Sequence, residues 1–457
     1  MTLRVPALVV GGGISGLVCA HALRQAGVDA MVVEASGRAG GAIRSERRDG
    51  HLLELGPQSF SATEPMLQLF AELGIADQIV QAPARAPRYV LMNENLRRVP
   101  MSPPAFLGSG FVGLGTKFAM LRDVLGKSQP PERDESIAEF VRRKFSTEIL
   151  DRLVGPFVSG VYAGDPERLS LRSAFPMLYD AEKREGSVIR GLISRSDPKQ
   201  PRQRPTLLSF RDGTETFTNA LTKRLVDRIR IGAEVVRVGA LGAGRDESFT
   251  VTVRIADELQ TIVADQLIVA TPTDVAAKLI GEFEPTIAAS LGEIEYASLA
   301  AVSQGYAESD VGDTLNGFGF LAPRSAGLRT LGTVWNSSLF PNRAPAGNVL
   351  MTSFIGGATD PQAATLSSAE LAAAVHKEIG PILRIRQNPK FSNVTIYPRA
   401  LPQYNLGHAA RLAAIERGRA RHSNLWLVGN YLRGPSIGAC VEQSVSVAQE
   451  ILSRVTH

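Results

Sequence analysis

The chain opens on Leu3–Val10, an apolar, β-branched run with little polar alternation, the pattern of a strand buried on both faces of a parallel sheet. A glycine cluster follows, then a helical period from Ser15 to Gln25, then a second buried run, Ala30–Glu34. Together they predict a βαβ unit. Glu64–Gly74 reads as a helix that stops at its glycine. From about residue 100 to Arg195 the strand pattern vanishes. Amphipathic stretches such as Ser136–Phe145 and Thr147–Val154 replace it and predict a largely helical insertion. Ser194–Pro205, rich in Arg, Pro and Lys, reads as weakly ordered. Leu207–Phe210 returns to strand and Thr214–Arg228 to helix. Ala233–Val238, Phe249–Arg254 and Gln260–Val269 follow as strands, closed by Ala270-Thr271-Pro272. Further on, strands at Ala300–Gly305, Thr330–Trp335 and Val349–Ile355 flank a helix near Ser367–Gly380. A last strand, Leu425–Val428, leads to a closing helix, Ala439–Val455. There are no internal repeats.

Composition narrows the class. The 457 residues suggest roughly two or three domains, and 44% hydrophobic content supports a large core. Two cysteines, Cys19 and Cys440, give no disulfide framework and fit a reduced, cytoplasmic setting. The six histidines are scattered without zinc spacing, so no metal is expected. The charge of +5 and pI near 9.3 fit a mildly basic soluble protein, with attraction to anionic ligands or lipid head groups as the sharper alternative. Because the basic residues are spread and not interleaved with aromatics, no nucleic-acid partner is expected. The first strand begins so near Met1 that no signal or transit peptide is expected. The apolar run Pro104–Leu114 is shorter than the roughly 20 residues a membrane helix needs.

Four motifs carry chemistry. In Gly11-Gly12-Gly13-Ile14-Ser15-Gly16, Gly11, Gly13 and Gly16 satisfy G-x-G-x-x-G between a strand and a helix. Such a turn lets a pyrophosphate approach the backbone and face the helix N-terminus. Glu34, at the end of the next strand, suits ribose hydroxyls and repels a 2′-phosphate. The second motif continues Ala35-Ser36-Gly37-Arg38-Ala39-Gly40-Gly41-Ala42. Arg38 can meet phosphate, and the glycine pair lets a long extended cofactor pass. The third is Leu53-Glu54-Leu55-Gly56-Pro57-Gln58-Ser59, a strand end and tight turn. The fourth runs from Leu425 through Gly429-Asn430-Tyr431 and Gly434-Pro435-Ser436-Ile437 into a helix whose free N–H groups can face an anionic reduced flavin. Cys440 reads as a small packing residue, with a covalent flavin anchor as the rival.

These motifs read as a non-covalent FAD site, and the chain resembles the two-domain flavoprotein amine oxidases. The implied fold is α/β plus α+β. A Rossmann-type FAD-binding domain is built from both chain ends (1–87, 206–272 and 425–457). A helical membrane-associating and substrate-entry region covers 88–205, and a mixed-sheet substrate domain covers 273–424. The resemblance extends the cofactor site to Val235.

Middle segments narrow the resemblance to the protoporphyrinogen oxidase family. They are Phe157-Val158-Ser159-Gly160-Val161-Tyr162-Ala163-Gly164-Asp165-Pro166, Gly317–Pro323, Leu339-Phe340-Pro341-Asn342-Arg343-Ala344-Pro345, Phe354–Gly357, and Pro402-Gln403-Tyr404 with Gly407-His408. That family implies six-electron oxidation of a porphyrinogen by FAD, with molecular oxygen as acceptor and hydrogen peroxide released. It implies that Arg88 pairs with a substrate propionate, that the Gly164 carbonyl faces the tetrapyrrole, and that Leu321, Val334 and Phe354 sandwich the macrocycle. Arg88 and Gly164 are the residues nearest the chemistry. Gln443-Ser444 departs from the family's usual glycine or serine-glycine pair, which should alter helix packing and not cofactor choice.

The resemblance further implies peripheral attachment to the inner face of the cell membrane, through Phe106–Leu114 flanked by Lys117, Arg122 and Lys127, and a homodimer is carried as an expectation. A coproporphyrinogen III oxidase of the same fold is the nearest rival; Arg88 and the Phe340–Pro345 segment favour protoporphyrinogen. An amine oxidase or carotenoid desaturase, and a tetrapyrrole carrier without turnover, stay open. Tyr431 has no visible partner for an aromatic cage.

Overall fold

The computed structural model describes residues 3–101, 103–194 and 206–455; the Ser194–Pro205 expectation falls almost wholly outside them. Leu3–Val10 is flanked by Ala30–Glu34 on one side and Glu258–Val269 on the other, all parallel. Ile229–Ile231 adds beyond Ala30–Glu34, and Leu425–Leu427 pairs with the end of Glu258–Val269, both again parallel. These runs read as unbroken apolar stretches because both sheet faces are covered. Ala7, Val9 and Val32 pack under the helices Ile14–Gln25 and Ile437–Val455. Leu8, Val10 and Val33 pack with Ala276, Leu279, Ile287 and Ile415. The antiparallel strands Ala233–Leu241 and Ser248–Ile255 extend the same sheet, giving seven strands.

A second seven-stranded sheet runs in the order Phe391–Pro402, Tyr296–Ala307, Asn348–Gly356, Thr330–Val334, Gly319–Leu321, Arg88–Met92, Asn95–Arg98. It is mixed, since Gly319–Leu321 runs parallel to Arg88–Met92. One face buries Ala300, Val302, Phe320, Trp335 and Ile355 against the helix Ser368–Leu383. That helix starts at Ser367, whose hydroxyl accepts from the Glu370 N–H while the Glu370 carboxylate accepts from Ser367 N, a reciprocal cap.

A helical layer runs from Pro103 to Ser194 and packs on the second sheet through the helix Gly155–Tyr162. The reading of 88–205 as helical therefore needs one correction: residues 88–98 are a hairpin that completes the second sheet. The elements not foreseen from the sequence include the helices Thr273–Ile280 and His408–Arg419, the short strand Ile229–Ile231, and the twelve-residue strand Phe391–Pro402, which has no clean period-two pattern and contains Pro398. The proline is tolerated because this strand lies at a sheet edge, where a missing N–H breaks no ladder.

Candidate functional site: a glycine cradle facing an apolar sheet

The turn between Leu3–Val10 and the first helix is shaped by close backbone approach. A Cβ on Gly11 would stand 2.7 Å from the Ala270 carbonyl oxygen, and Gly11 has φ +109°. A Cβ on Gly16 would stand 2.0 Å from the Gly11 oxygen, so helix and strand meet there only without a side chain. Gly13 differs. A Cβ there would meet nothing closer than the Gly41 Cα at 3.9 Å, so space lies open beside the helix N-terminus that Ile14 and Ser15 begin. Glu34 braces the turn: its Oε2 accepts from Gly12 N at 2.7 Å and its Oε1 from Ser36 N at 2.8 Å. Gly40 N donates to the Gly12 oxygen at 2.7 Å, which draws the Ala35–Ala42 loop over the cradle.

Arg38 has a structural task that the sequence reading did not include. Its guanidinium turns into its own loop, donating to the carbonyls of Ala39, Gly41 and Ile43, and reaches Glu215 at 3.1 Å. It holds the loop that forms the cradle wall through both terminal nitrogens. The third motif closes in from the other side. Gly56 sits where a Cβ would be 2.0 Å from the Ala42 oxygen, and Pro57 and Ser59 flank Gln58, all three half-buried. Gln58 donates to the carbonyls of Glu54 and Gly56 and accepts from Asn336 Nδ2 at 2.7 Å, tying the cradle to the second sheet's loops. Val235 lies on the strand beyond Gly232, whose N–H donates to the Ser36 oxygen.

At the chain's end, Gly429 leaves the last strand and Pro435-Ser436-Ile437 opens the closing helix. The Ser436 hydroxyl accepts from Ala439 N at 3.1 Å. The Gln443 Oε1 accepts from Gly429 N at 3.2 Å, and the Ser444 hydroxyl donates to the Cys440 oxygen. The unusual Gln443-Ser444 pair thus fastens the turn to its own helix. Cys440 is buried, burial pushes its thiol up, and it meets the Ser15 hydroxyl. That contact brings the first turns of the first and last helices together.

The residues drawn from the family resemblance gather on the second sheet. Gly319 pairs with Arg88 on one side and Val334 on the other; Leu321 pairs with Gly332, which pairs with Phe354. Side chains alternate between faces, so Arg88, Leu321, Val334 and Phe354 share one face, opposite that of Phe320 and Trp335. The helix Gly155–Tyr162 ends over it. A Cβ on Gly160 would stand 2.7 Å from Leu321, and Ala163 packs in the same cluster as Phe354 and Leu299. Ala163 is left-handed (φ +47°), and buried Gly164 follows it. Arg88 is exposed at the face's edge, with its guanidinium carbon 5.5 Å from the Phe318 ring.

Comparison with known proteins matches residues 14–452 to the flavin containing amine oxidoreductases. Protoporphyrinogen oxidase 1 of Arabidopsis thaliana chloroplasts is 35% identical, covering 98% of this chain and 88% of that protein. The chain belongs to the protoporphyrinogen oxidase family of flavin-containing amine oxidoreductases. Coproporphyrinogen III oxidase of Bacillus subtilis is 28% identical over 98% of this chain and 97% of that protein. A crystal structure from Exiguobacterium sp. 255-15, described as a candidate protoporphyrinogen oxidase, superposes with a TM-score of 0.80 at 21% identity, covering 100% of both chains; it shows the shared fold. Membership of this flavoprotein family makes the chain an FAD-dependent oxidoreductase. The open space at Gly13, the bare backbone at Gly12 and Gly41 and the Glu34 carboxylate fit such a cofactor.

Two expectations of this flavoenzyme's sequence change with the fold in view. Arg343, part of a segment taken to favour protoporphyrinogen, is buried and donates to Ser209 Oγ at 2.7 Å, beside Glu54 at 3.6 Å. It ties the strand Leu207–Phe210 to Glu54, at the end of the strand His51–Glu54, inside the protein. Phe106, Phe111 and Val112 of the run expected to dock on a membrane are buried in the core of the helical layer. The exposed apolar face lies on the next helix instead, where Leu114, Phe118, Leu121 and Leu125 are 83%, 68%, 51% and 75% exposed. Sequence reasoning also missed Tyr397, whose hydroxyl donates to the Leu55 oxygen from the unforeseen edge strand. Burial pushes that phenol up to about 12.

Proposed function

We propose that this chain oxidises protoporphyrinogen IX to protoporphyrin IX in haem and tetrapyrrole biosynthesis. The reading is carried by one observation: Leu321, Val334 and Phe354 share a sheet face with Arg88 at its edge and the Gly160–Gly164 corner over it. An apolar face with a guanidinium at its rim suits a flat, hydrophobic macrocycle with carboxylate arms. FAD supplies the two-electron acceptor, and three rounds with molecular oxygen turn the porphyrinogen and three oxygens into porphyrin and three hydrogen peroxides. The chain's own residues hold the ring, pair Arg88 with a propionate and keep water out. Leu321, Val334 and Phe354 carry no titratable group, in keeping with a reaction that needs little acid–base help.

The first sheet, drawn from residues 3–34, 229–269 and 425–427, we read as a Rossmann-type cofactor unit assembled from both chain ends. The helical layer we read as a peripheral membrane contact. Leu114, Phe118, Leu121 and Leu125 recur at i, i+4, i+7 and i+11 on one helix face, with exposed Arg122 and Lys127 nearby for anionic head groups. No helix among the described residues is long and apolar enough to cross a membrane.

A second reading, coproporphyrinogen III oxidation, is favoured by the relatives named for it and by the burial of Arg343, which leaves Arg88 alone to argue for protoporphyrinogen. Porphyrin fluorescence in aerated buffer, with protoporphyrinogen IX and coproporphyrinogen III side by side, separates the two. Faster turnover of protoporphyrinogen supports the first reading. Faster turnover of coproporphyrinogen moves the enzyme to the second. No fluorescence from either contradicts both and leaves the FAD fold standing.

A further inference from the structure

The Pro402-Gln403-Tyr404 segment has a geometry that the oxidation itself does not use. Pro402 ends the edge strand opposite Tyr296, and Gln403 N donates to the Glu295 oxygen at 2.8 Å, so the segment starts from a fixed point on the sheet. Two consecutive side chains then reach to opposite walls. Gln403 is 3% exposed; its Nε2 donates to the Tyr162 oxygen at 2.9 Å and the Leu401 oxygen at 3.1 Å. The Tyr404 hydroxyl donates to the Asn430 oxygen, in the C-terminal turn of the cofactor side, while its ring stacks on His408 at 4.3 Å.

The Gln403 Oε1 is buried without a hydrogen-bond partner among the described residues. It rests against the bare Cα of Gly164: a Cβ there would stand 2.8 Å from Oε1 and 2.6 Å from Leu169 Cδ1. From the other side, Ala358 N donates to the Ala163 oxygen at 2.7 Å. The Tyr162–Ala163–Gly164 corner, left-handed at Ala163, is therefore held by hydrogen bonds at two residues, at Tyr162 by the Gln403 amide nitrogen and at Ala163 by Ala358, while the amide oxygen packs beside Gly164. A left-handed alanine persists only where its surroundings hold it. Gln403 touches the corner at both of its ends.

We propose that Gln403 is the positioning residue of the substrate face: its amide fixes the corner so that the Gly164 carbonyl meets the macrocycle held by Leu321 and Phe354. This rests on the porphyrinogen reading above. Removing the amide leaves the Tyr162 and Leu401 carbonyls without that donor and frees the corner to turn, which moves the Gly164 carbonyl and leaves the cofactor cradle untouched. Substrate affinity should suffer before flavin binding or turnover of bound substrate.

The test compares flavin-loaded wild-type, Gln403→Leu and Gln403→Glu enzymes with the preferred porphyrinogen. Leucine keeps the bulk and removes the donors. Its expected effect is a KM raised about tenfold, the consequence of losing a buried hydrogen bond, with kcat and FAD content little changed. Glutamic acid keeps the shape and offers one donor only when protonated. Its KM should lie near wild type at the acid end and worsen as pH rises, over a range where the wild-type KM is flat. A flavin-loaded Gln403→Leu enzyme with wild-type KM overturns the proposal, as does a flat Gln403→Glu profile. If Gln403→Leu cannot be isolated with FAD, Gln403→Glu decides alone: recovery at low pH supports the positioning role, and loss at every pH overturns it. A wild-type enzyme inert toward both porphyrinogens overturns the function reading and this inference with it; an active wild type with an unaffected Gln403→Leu variant overturns this inference alone.

Discussion

Around the first sheet and its turns the tight points are backbone against backbone. A Cβ on Gly16 would meet the Gly11 oxygen at 2.0 Å, and one on Gly56 the Ala42 oxygen at 2.0 Å. In the helical layer the tight points are charges. Lys144 meets Asp123 at 2.5 Å and Glu182 at 3.5 Å; Arg143 bridges Glu182 and Glu135. Asp123, Glu135, Lys144 and Glu182 are all buried. Burial opposes ionisation of Glu182, but hydrogen bonds from Arg143 and Ser128 hold its carboxyl below the ordinary range. Glycines record the first kind of constraint locally, within a few residues. The second kind joins helices dozens of residues apart, and each charge alone looks like a solvated surface group.

The contrast can be broken at the glycines first. Gly16→Ala should yield no folded protein, because the obstacle is backbone that cannot move aside. Gly13→Val should yield folded but colourless protein, because its side chain enters open space that a cofactor needs. Circular dichroism with flavin absorbance reads both, and a yellow, folded Gly16→Ala protein would deny that the turn is backbone-limited. In the helical layer, Lys144→Met should lower unfolding free energy by about 3–5 kcal/mol, the usual cost of stranding a buried carboxylate. Urea denaturation checks it, and a loss near zero would reduce the charge cluster to ornament.

Between the two regions sits His408, stacked on Tyr404. Burial pushes its pKa from 6.5 down to about 4, against a smaller upward pull from the Tyr431 backbone. The unfolded chain therefore takes up the proton first as pH falls. The stability that neutral His408 contributes is full above 6.5, declines between 6.5 and 4, and is lost below, by about 3 kcal/mol in all. His408→Phe should flatten that part of the acid slope in melts run from pH 7 to 4; an unchanged slope assigns acid sensitivity elsewhere. The smallest expected effect is kinetic. Arg88→Ala should raise KM ten- to a hundredfold, in line with ~1.5–3 kcal/mol for a charged hydrogen bond. Unaltered kinetics would take Arg88 out of the site.

The same contrast explains what the sequence could reveal. The cradle was legible because Gly11, Gly13, Gly16 and Glu34 each answer a local requirement of turn, approach or pairing. The shared face of Leu321, Val334 and Phe354 was legible only through family resemblance, since their strands lie far apart in the chain. The structural tasks of Arg38 and Arg343 were not legible for one reason: an arginine's partners, loop carbonyls in one case and Ser209 with Glu54 in the other, are set by the fold and leave no spacing signal. Gln403 went unassigned because the strand that leads into it was not recognised: Pro398 and a half-buried pattern hide that strand.

The central claim is that this chain turns over a porphyrinogen with its flavin and oxygen. The most direct measurement follows oxygen uptake, peroxide release and porphyrin absorbance together in one reaction of purified, flavin-loaded protein. The account predicts three oxygens consumed and three peroxides formed for each porphyrin. Tight porphyrin binding with no oxygen uptake beyond the spontaneous rate would contradict it and make the protein a carrier.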